Sequence, residues 1–233
     1  MCTVTFIAKG NNDFILTSSR DELPGRATLA PKVYKEKGVM LVYPKDIIAG
    51  GTWICMGSNN RMINLLNGAF KPHKRNPPYR KSRGLVVKEL LLSENLMEDI
   101  REYNFEGIEP FTIILVDWGA GLQLFNLVWD EKQLHFKKHS LKPHIWSSSP
   151  LYSPKMKQKR ELWFDEFLNI SNTDTASLLS FHKNAGNGKN EENLIMDRGF
   201  IKTVSITQIV KKGNNLKMFY EDLQTESSEY VAL

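Results

Sequence analysis

The chain has 233 residues, 41% of them hydrophobic and 24% charged, a balance ordinary for a globular protein and sufficient to bury a core as one domain, residues 1–233. No window approaches about 18 consecutive apolar residues, and Cys2–Ala8 alternates where a secretory leader would run from a basic to an apolar segment, so neither a membrane-spanning helix nor a signal peptide is expected. A net charge of +5 permits anionic ligands without demanding them, and two cysteines are too few for a disulfide framework, which fits a reducing, cytoplasmic setting.

In chain order, alternation and β-branched or aromatic content predict strands over 2–8, 14–18, 39–43, 52–56 and 62–66. Gly10-Asn11-Asn12 reads as the turn of a first hairpin. Helical spacing follows over 83–92, opened by Ser82, and over 96–103. Strands are then expected over 111–116 and 121–129 as a hairpin, and over 133–138. The clearest helix covers 155–169, with Met156, Trp163, Phe164, Phe167 and Leu168 on one side. A short helix near 175–181, capped by Asp174, precedes a polar, Asn- and Gly-rich stretch to Arg198 that reads as a mobile surface loop. Strands over 203–210 and 216–221 close the chain around an Asn214-Asn215 turn. Strands at both ends with helices between strand groups indicate an α+β protein with antiparallel sheets.

Three features carry chemistry. Met1 is followed by Cys2, and removal of Met1 leaves a residue with both a thiol and a free α-amine, each partly in its reactive form near neutral pH. The alternative for Cys2 is a small buried hydrophobe heading an edge strand. Cys55, inside an apolar strand, reads as core. Second, the first hairpin brings Arg20 and Asp21 near Cys2, where an arginine lowers a thiol pKa and a carboxylate holds an amine. Third, Asn67 ends an apolar strand, where its amide could donate to an oxyanion; Asn67-Gly68 is equally a favourable turn.

The ordered set of Met1-Cys2, Ser19-Arg20-Asp21-Glu22, Arg26, Ala30-Pro31, Ala49-Gly50-Gly51-Thr52-Trp53, Asn67, Ser82-Arg83-Gly84 and Thr203-Val204-Ser205-Ile206-Thr207 resembles the NRDE family, whose animal member is the transport and Golgi organisation protein 2. Ser19 stands where the family's namesake Asn does, Ser148 where it has an Asn, and Val204 or a neighbour where it has an Arg. The family is similar to N-terminal-nucleophile hydrolases, which implies a four-layer αββα sandwich, two antiparallel sheets flanked by helices. The resemblance makes Cys2 the nucleophile, Arg20 and Asp21 its positioning groups and Asn67 an oxyanion donor. Ser147 and Ser148 line the pocket, with Trp53 and Trp146 binding substrate. The implied reaction is hydrolysis of a small amide through an acyl-thioester on Cys2.

The competing expectation, also from the resemblance, is a non-catalytic carrier of haem or an acyl or lipid ligand. The histidines His73, His135, His139, His144 and His182 show no metal-ligand spacing, so neither a metal site nor a cofactor is expected, haem entering only as a ligand. The basic stretch from Lys71 to Arg83 is interrupted by Pro77, Pro78 and Tyr79 and reads as a solvated loop; no nucleic-acid partner is expected, and the oligomeric state is not read.

Overall fold

The structure, a computed structural model, describes residues 2–233, with Cys2 described by its strand pairing alone. Two compact units are present. One contains the chain up to Arg26 and Leu141–Ala232; the other is built from Ala27–Ser140.

The first unit is a six-stranded antiparallel sheet in the order β10-β1-β2-β11-β12-β13. Its strands are β1 (Cys2–Gly10), β2 (Asp13–Glu22), β10 (His144–Ser147), β11 (Lys202–Lys212), β12 (Asn215–Asp222) and β13 (Ser227–Ala232). The β1–β2 hairpin closes through Gly10, Asn11 and Asn12, all at positive φ, which glycine and asparagine tolerate best. From Phe14 to Asp21 every residue of β2 is buried, so both faces of this central strand are covered. Two helices, α3 (Pro154–Ile170) and α4 (Thr175–Asn184), pack on one face. Ser153 caps α3 through the Met156 amide at 3.3 Å, and Asp174 caps α4 through the Ser177 amide at 2.8 Å. Phe164, Phe167, Leu178 and Phe181 meet Ile7 and Ile15 there. Beside this apolar seam lies a polar one. His182 of α4, fully buried, is 2.9 Å from Thr5 Oγ1 through Nε2 and 2.7 Å from Ser19 Oγ through Nδ1.

The second unit is a seven-stranded antiparallel meander in sequence order: β3 (Thr28–Glu36), β4 (Val39–Asp46), β5 (Ile54–Gly57), β6 (Arg61–Asn67), β7 (Phe111–Asp117), β8 (Gln123–Trp129) and β9 (Leu134–His139). Helices α1 (Arg83–Leu91) and α2 (Leu96–Glu102) are inserted between β6 and β7. The Gly-Gly and Arg-Gly motifs find their reason here. A Cβ on Gly51 would lie 2.4 Å from the Gly84 carbonyl carbon, and one on Gly84 would lie 2.8 Å from the Thr52 nitrogen. The start of α1 therefore rests directly on the backbone before β5, and the Thr52 amide donates to the Gly84 carbonyl at 3.3 Å.

The expected elements are present, with three strands added. β3 carries Pro31 at a shift in its pairing with β4, and Pro at such a bulge on a sheet edge hides a strand from pattern reading. β10 has four residues, and β13 is an exposed polar edge with no burial alternation. Gly213 and Asn214 turn the chain between β11 and β12, and β13 then follows. The stretch read as a mobile surface loop is anchored in its middle, where Leu194 and Met196 are buried.

Two outcomes are expected. Gly84→Ala forces a methyl into backbone that has no flexible side chain to yield, and lowers unfolding free energy by about 2–4 kcal/mol in urea titration. His182 is held neutral, its pKa lowered to about 3 by burial and then by the charge of Arg160. Between pH 6.5 and 3 the unfolded state binds a proton that the folded state refuses, so stability is full above about pH 6.5 and falls as pH drops. Burial raises the pKa of Asp21 and gives a slope of the opposite sign, so the effect is read as a difference between proteins. On going from pH 7 to pH 4.5, wild type loses about 2 kcal/mol more stability than His182→Gln.

Candidate active site

Register decides which side chains share a face at the head of β1. Cys2 pairs with Arg20, Arg20 with Ser205, and Ser205 with Asp222. One step along, Trp146, Val4, Ser18, Thr207 and Tyr220 form the next row. Directly paired residues point to the same side of a sheet. This is the side turned away from α3 and α4, because Thr3, Thr5, Ser19 and Gln208, on the alternate positions, reach the helical side.

On the Cys2 side Arg20 is buried and lies 3.7 Å from Glu22, whose carboxylate is also 3.9 Å from Arg26. Next to it the hydroxyls of Ser18 and Thr207 are buried and have no hydrogen-bond partner among the described residues. An interior hydroxyl without a partner costs about 1–3 kcal/mol, so this face of β2 and β11 is far from an optimised apolar core. Trp146 is half-buried and stacks on His144 with ring centroids 5.0 Å apart.

Asp21 lies on the other face. Its carboxylate has no solvent exposure and accepts from the Tyr152 hydroxyl at 2.5 Å and the Thr203 hydroxyl at 2.7 Å. Burial raises its pKa against the opposing charge of Arg160 and the two hydrogen bonds. Thr203 is opposite Asp21 because the β2–β11 pairing slips by one residue around Val204; that bulge turns Thr203 toward the helices and Ser205 toward the Cys2 side. Burial also pushes the Tyr152 hydroxyl well above its ordinary range, with the Asp21 charge adding to it, so Tyr152 stays a donor.

Thus Cys2, Arg20 and Trp146 share one face. Ser147 pairs with Thr3 and lies 3.3 Å from its hydroxyl on the helical face. Ser148 follows, buried, its hydroxyl without a partner among the described residues. Asn67 and Trp53 belong to the second unit. Asn67 is the half-buried last residue of β6, and the adjoining Gly68 is fixed by its amide to the Pro110 carbonyl at 3.0 Å and its carbonyl to the Thr112 hydroxyl at 2.9 Å. Trp53 is buried just before β5, and its carbonyl accepts from the Leu65 amide at 2.7 Å. In the same unit Asn64 is buried with both amide atoms unpartnered, which sequence reading passed over for Asn67. Met1 lies outside the described residues.

Sequence reading also missed Tyr152, Arg160 and His182. Only Arg160 left a signal. Met156, Arg160, Phe164 and Phe167 fall at intervals of four, four and three, so Arg160 occupies the apolar stripe of α3. The basic stretch before α1 is internally engaged. Glu109 gathers His73 at 3.2 Å, Arg75 at 3.3 Å and Arg83 at 3.1 Å, Lys81 pairs with Glu89, and Arg80 donates to the carbonyls of Asn104 and Glu106. Among the described residues no group of three His, Cys, Asp or Glu is placed to hold a metal, and no helix is long and apolar enough to cross a membrane.

Solved structures share this fold. The penicillin V acylase of Agrobacterium tumefaciens matches with TM-score 0.62 at 12% identity, over 100% of this chain and 86% of that one. A Caenorhabditis elegans orthologue of N-acylethanolamine-hydrolyzing acid amidase matches with TM-score 0.60 at 11% identity, over 90% and 92%. A variant of the conjugated bile acid hydrolase of Clostridium perfringens matches with TM-score 0.56 at 9% identity, over 99% and 92%. No curated protein matches the chain. The fold, two antiparallel sheets with four helices among the described residues, is that of the N-terminal-nucleophile hydrolases, as the motifs imply. Residues 1–230 match the family Transport and Golgi organisation 2, and the chain belongs to that family.

Proposed function

We propose that the protein is an amide hydrolase whose nucleophile is Cys2, exposed as the first residue by removal of Met1. The observation that carries this reading is the β1–β2 register, which sets Cys2 across from the buried cation Arg20 and puts the buried carboxylate Asp21 one position further, beside the start of β1. The thiol proton passes to the α-amine of the same residue, and Sγ attacks the amide carbonyl carbon. The C–N bond breaks as the departing amine takes that proton, leaving an acyl-thioester on Cys2. Water then gives its proton to the α-amine and its hydroxide to the thioester, releasing a carboxylic acid and restoring the thiol. Arg20 favours the thiolate, and Asp21 orients the amine. Trp146 and the Ser148 hydroxyl bind substrate.

Intact mass is expected to show loss of Met1. A panel of N-acylethanolamines, conjugated bile acids and penicillin V, the compound types in the names of the structural neighbours, together with N-acyl amino acids, is expected to contain a substrate. Cys2→Ala lowers kcat on it by about 10³-fold or more. Turnover that survives in Cys2→Ala, or a retained Met1, overturns the reading. Saturable binding of a panel member, of an acyl-CoA or of haem without turnover by wild type favours the carrier instead. Asp21→Asn, which keeps shape and removes charge, lowers kcat by about 10²-fold with KM little changed.

A further inference from the structure

Arg160 is the largest of the fully buried side chains among the described residues, at 1% exposure, and no carboxylate among them lies within 4.0 Å of it. Its guanidinium donates to the Thr3 hydroxyl and to the carbonyls of Glu192 at 3.2 Å and Asn193 at 2.7 Å, while its Nε is buried without a partner. It stacks on the Tyr152 ring at 3.7 Å from the centroid, and Tyr152 donates to Asp21. A buried cation with neutral partners carries a desolvation cost of several kcal/mol. The same stripe of α3 holds Phe164 and Phe167, so an apolar residue would satisfy packing more cheaply.

We propose that Arg160 is a positioning residue for Cys2: fixed under β1 by Thr3 and stacked on Tyr152, it carries the Tyr152–Asp21 pair and supplies positive potential at the head of the strand. Two consequences follow from its placement. Its charge favours the ionised form of Asp21, against the burial that raises the pKa of that carboxyl. Its charge also disfavours protonation of the thiolate and amine of the residue next to Thr3, which makes the first a better nucleophile and the second a free base. A unit charge acting across one layer of backbone at an effective dielectric near 20 shifts a neighbouring pKa by about one unit. The other charged and titratable groups around this end of the sheet are Arg20 and Glu22 of β2, Lys157 of α3, His182 of α4, Tyr220 and Asp222 of β12, and Arg198, whose guanidinium also lies over the Tyr152 ring but 5.6 Å from its centroid. None of them bonds Thr3, and all are common to the variants below.

This inference deepens the nucleophile reading, and its test is separable from it. Cys2 is alkylated with iodoacetamide in the full-length protein from pH 5 to 10, and the rate is followed on the Cys2 peptide by mass spectrometry. Cys55, wholly buried with its thiol pKa pushed up by burial, does not react in the folded chain. Arg160→Met is expected to move the midpoint up by about one unit, and Arg160→Lys, which keeps the charge, to leave it near wild type even where stability falls. Thr3→Val removes one anchoring hydroxyl, keeps the fold, and moves the midpoint in the same direction by a few tenths of a unit; it decides the matter where Arg160→Met does not fold. A midpoint unchanged in Thr3→Val and in folded Arg160→Met, with stability alone altered, overturns the proposal. Absence of turnover or retention of Met1 overturns the nucleophile reading and leaves the alkylation midpoint as the measure of Arg160.

Discussion

The Asp21 carboxylate, without solvent exposure, takes one hydroxyl from Tyr152 and one from Thr203, and the elements of the first unit are disposed around that arrangement. Tyr152 enters from the segment that leads into α3. Thr203 enters from β11 because a one-residue slip in the ladder turns it toward the helices. Arg160 lies on the other side of the Tyr152 ring and reaches back to β1 through Thr3. A carboxylate out of water persists only with such donors and a nearby cation. Removing any one strand or helix from this set would leave a buried charge uncompensated, so the site and the packing of α3 on the sheet are one structural problem.

β2 and β11 are central strands with polar residues on both faces, and the two faces are resolved differently. On the helical side Ser19 and Thr5 meet His182, and Thr17 meets Gln208, each at hydrogen-bonding distance. On the Cys2 side the hydroxyls of Ser18 and Thr207 have no partner among the described residues. The satisfied face holds the helices, and the unsatisfied one is the face on which Cys2 begins β1. Strands that served only packing would carry Val or Ile at those two positions and be more stable for it.

The second unit shows the opposite economy, in which conspicuous residues turn out to be structural. Gly51 and Gly84 are glycines because two backbones touch there. The basic run before α1 neutralises Glu109 and caps loop carbonyls, so much of its charge is held internally. Lys159 and Arg160 of the later basic cluster are likewise engaged, one with Glu192 and the other in the interior.

Read alone, the sequence determined the ten strongly patterned strands, all four helices, the first hairpin with its Asn turn, and the approach of Arg20 to the start of β1. Each of these depends on local spacing, on turn residues or on a hairpin whose register a short loop fixes. It also determined the family, through motifs spread over the whole chain. The edge strands β3, β10 and β13 were illegible because an edge needs only one partner and tolerates Pro31 or a polar surface. Tertiary structure alone decided that Arg20 and Asp21, adjacent in sequence, look to opposite faces, and that Asp21 is answered by Tyr152 and Thr203 from more than 130 residues away. Sequence spacing carries no record of such partners, because a buried charge is satisfied by whatever donors the packing of distant elements brings to it.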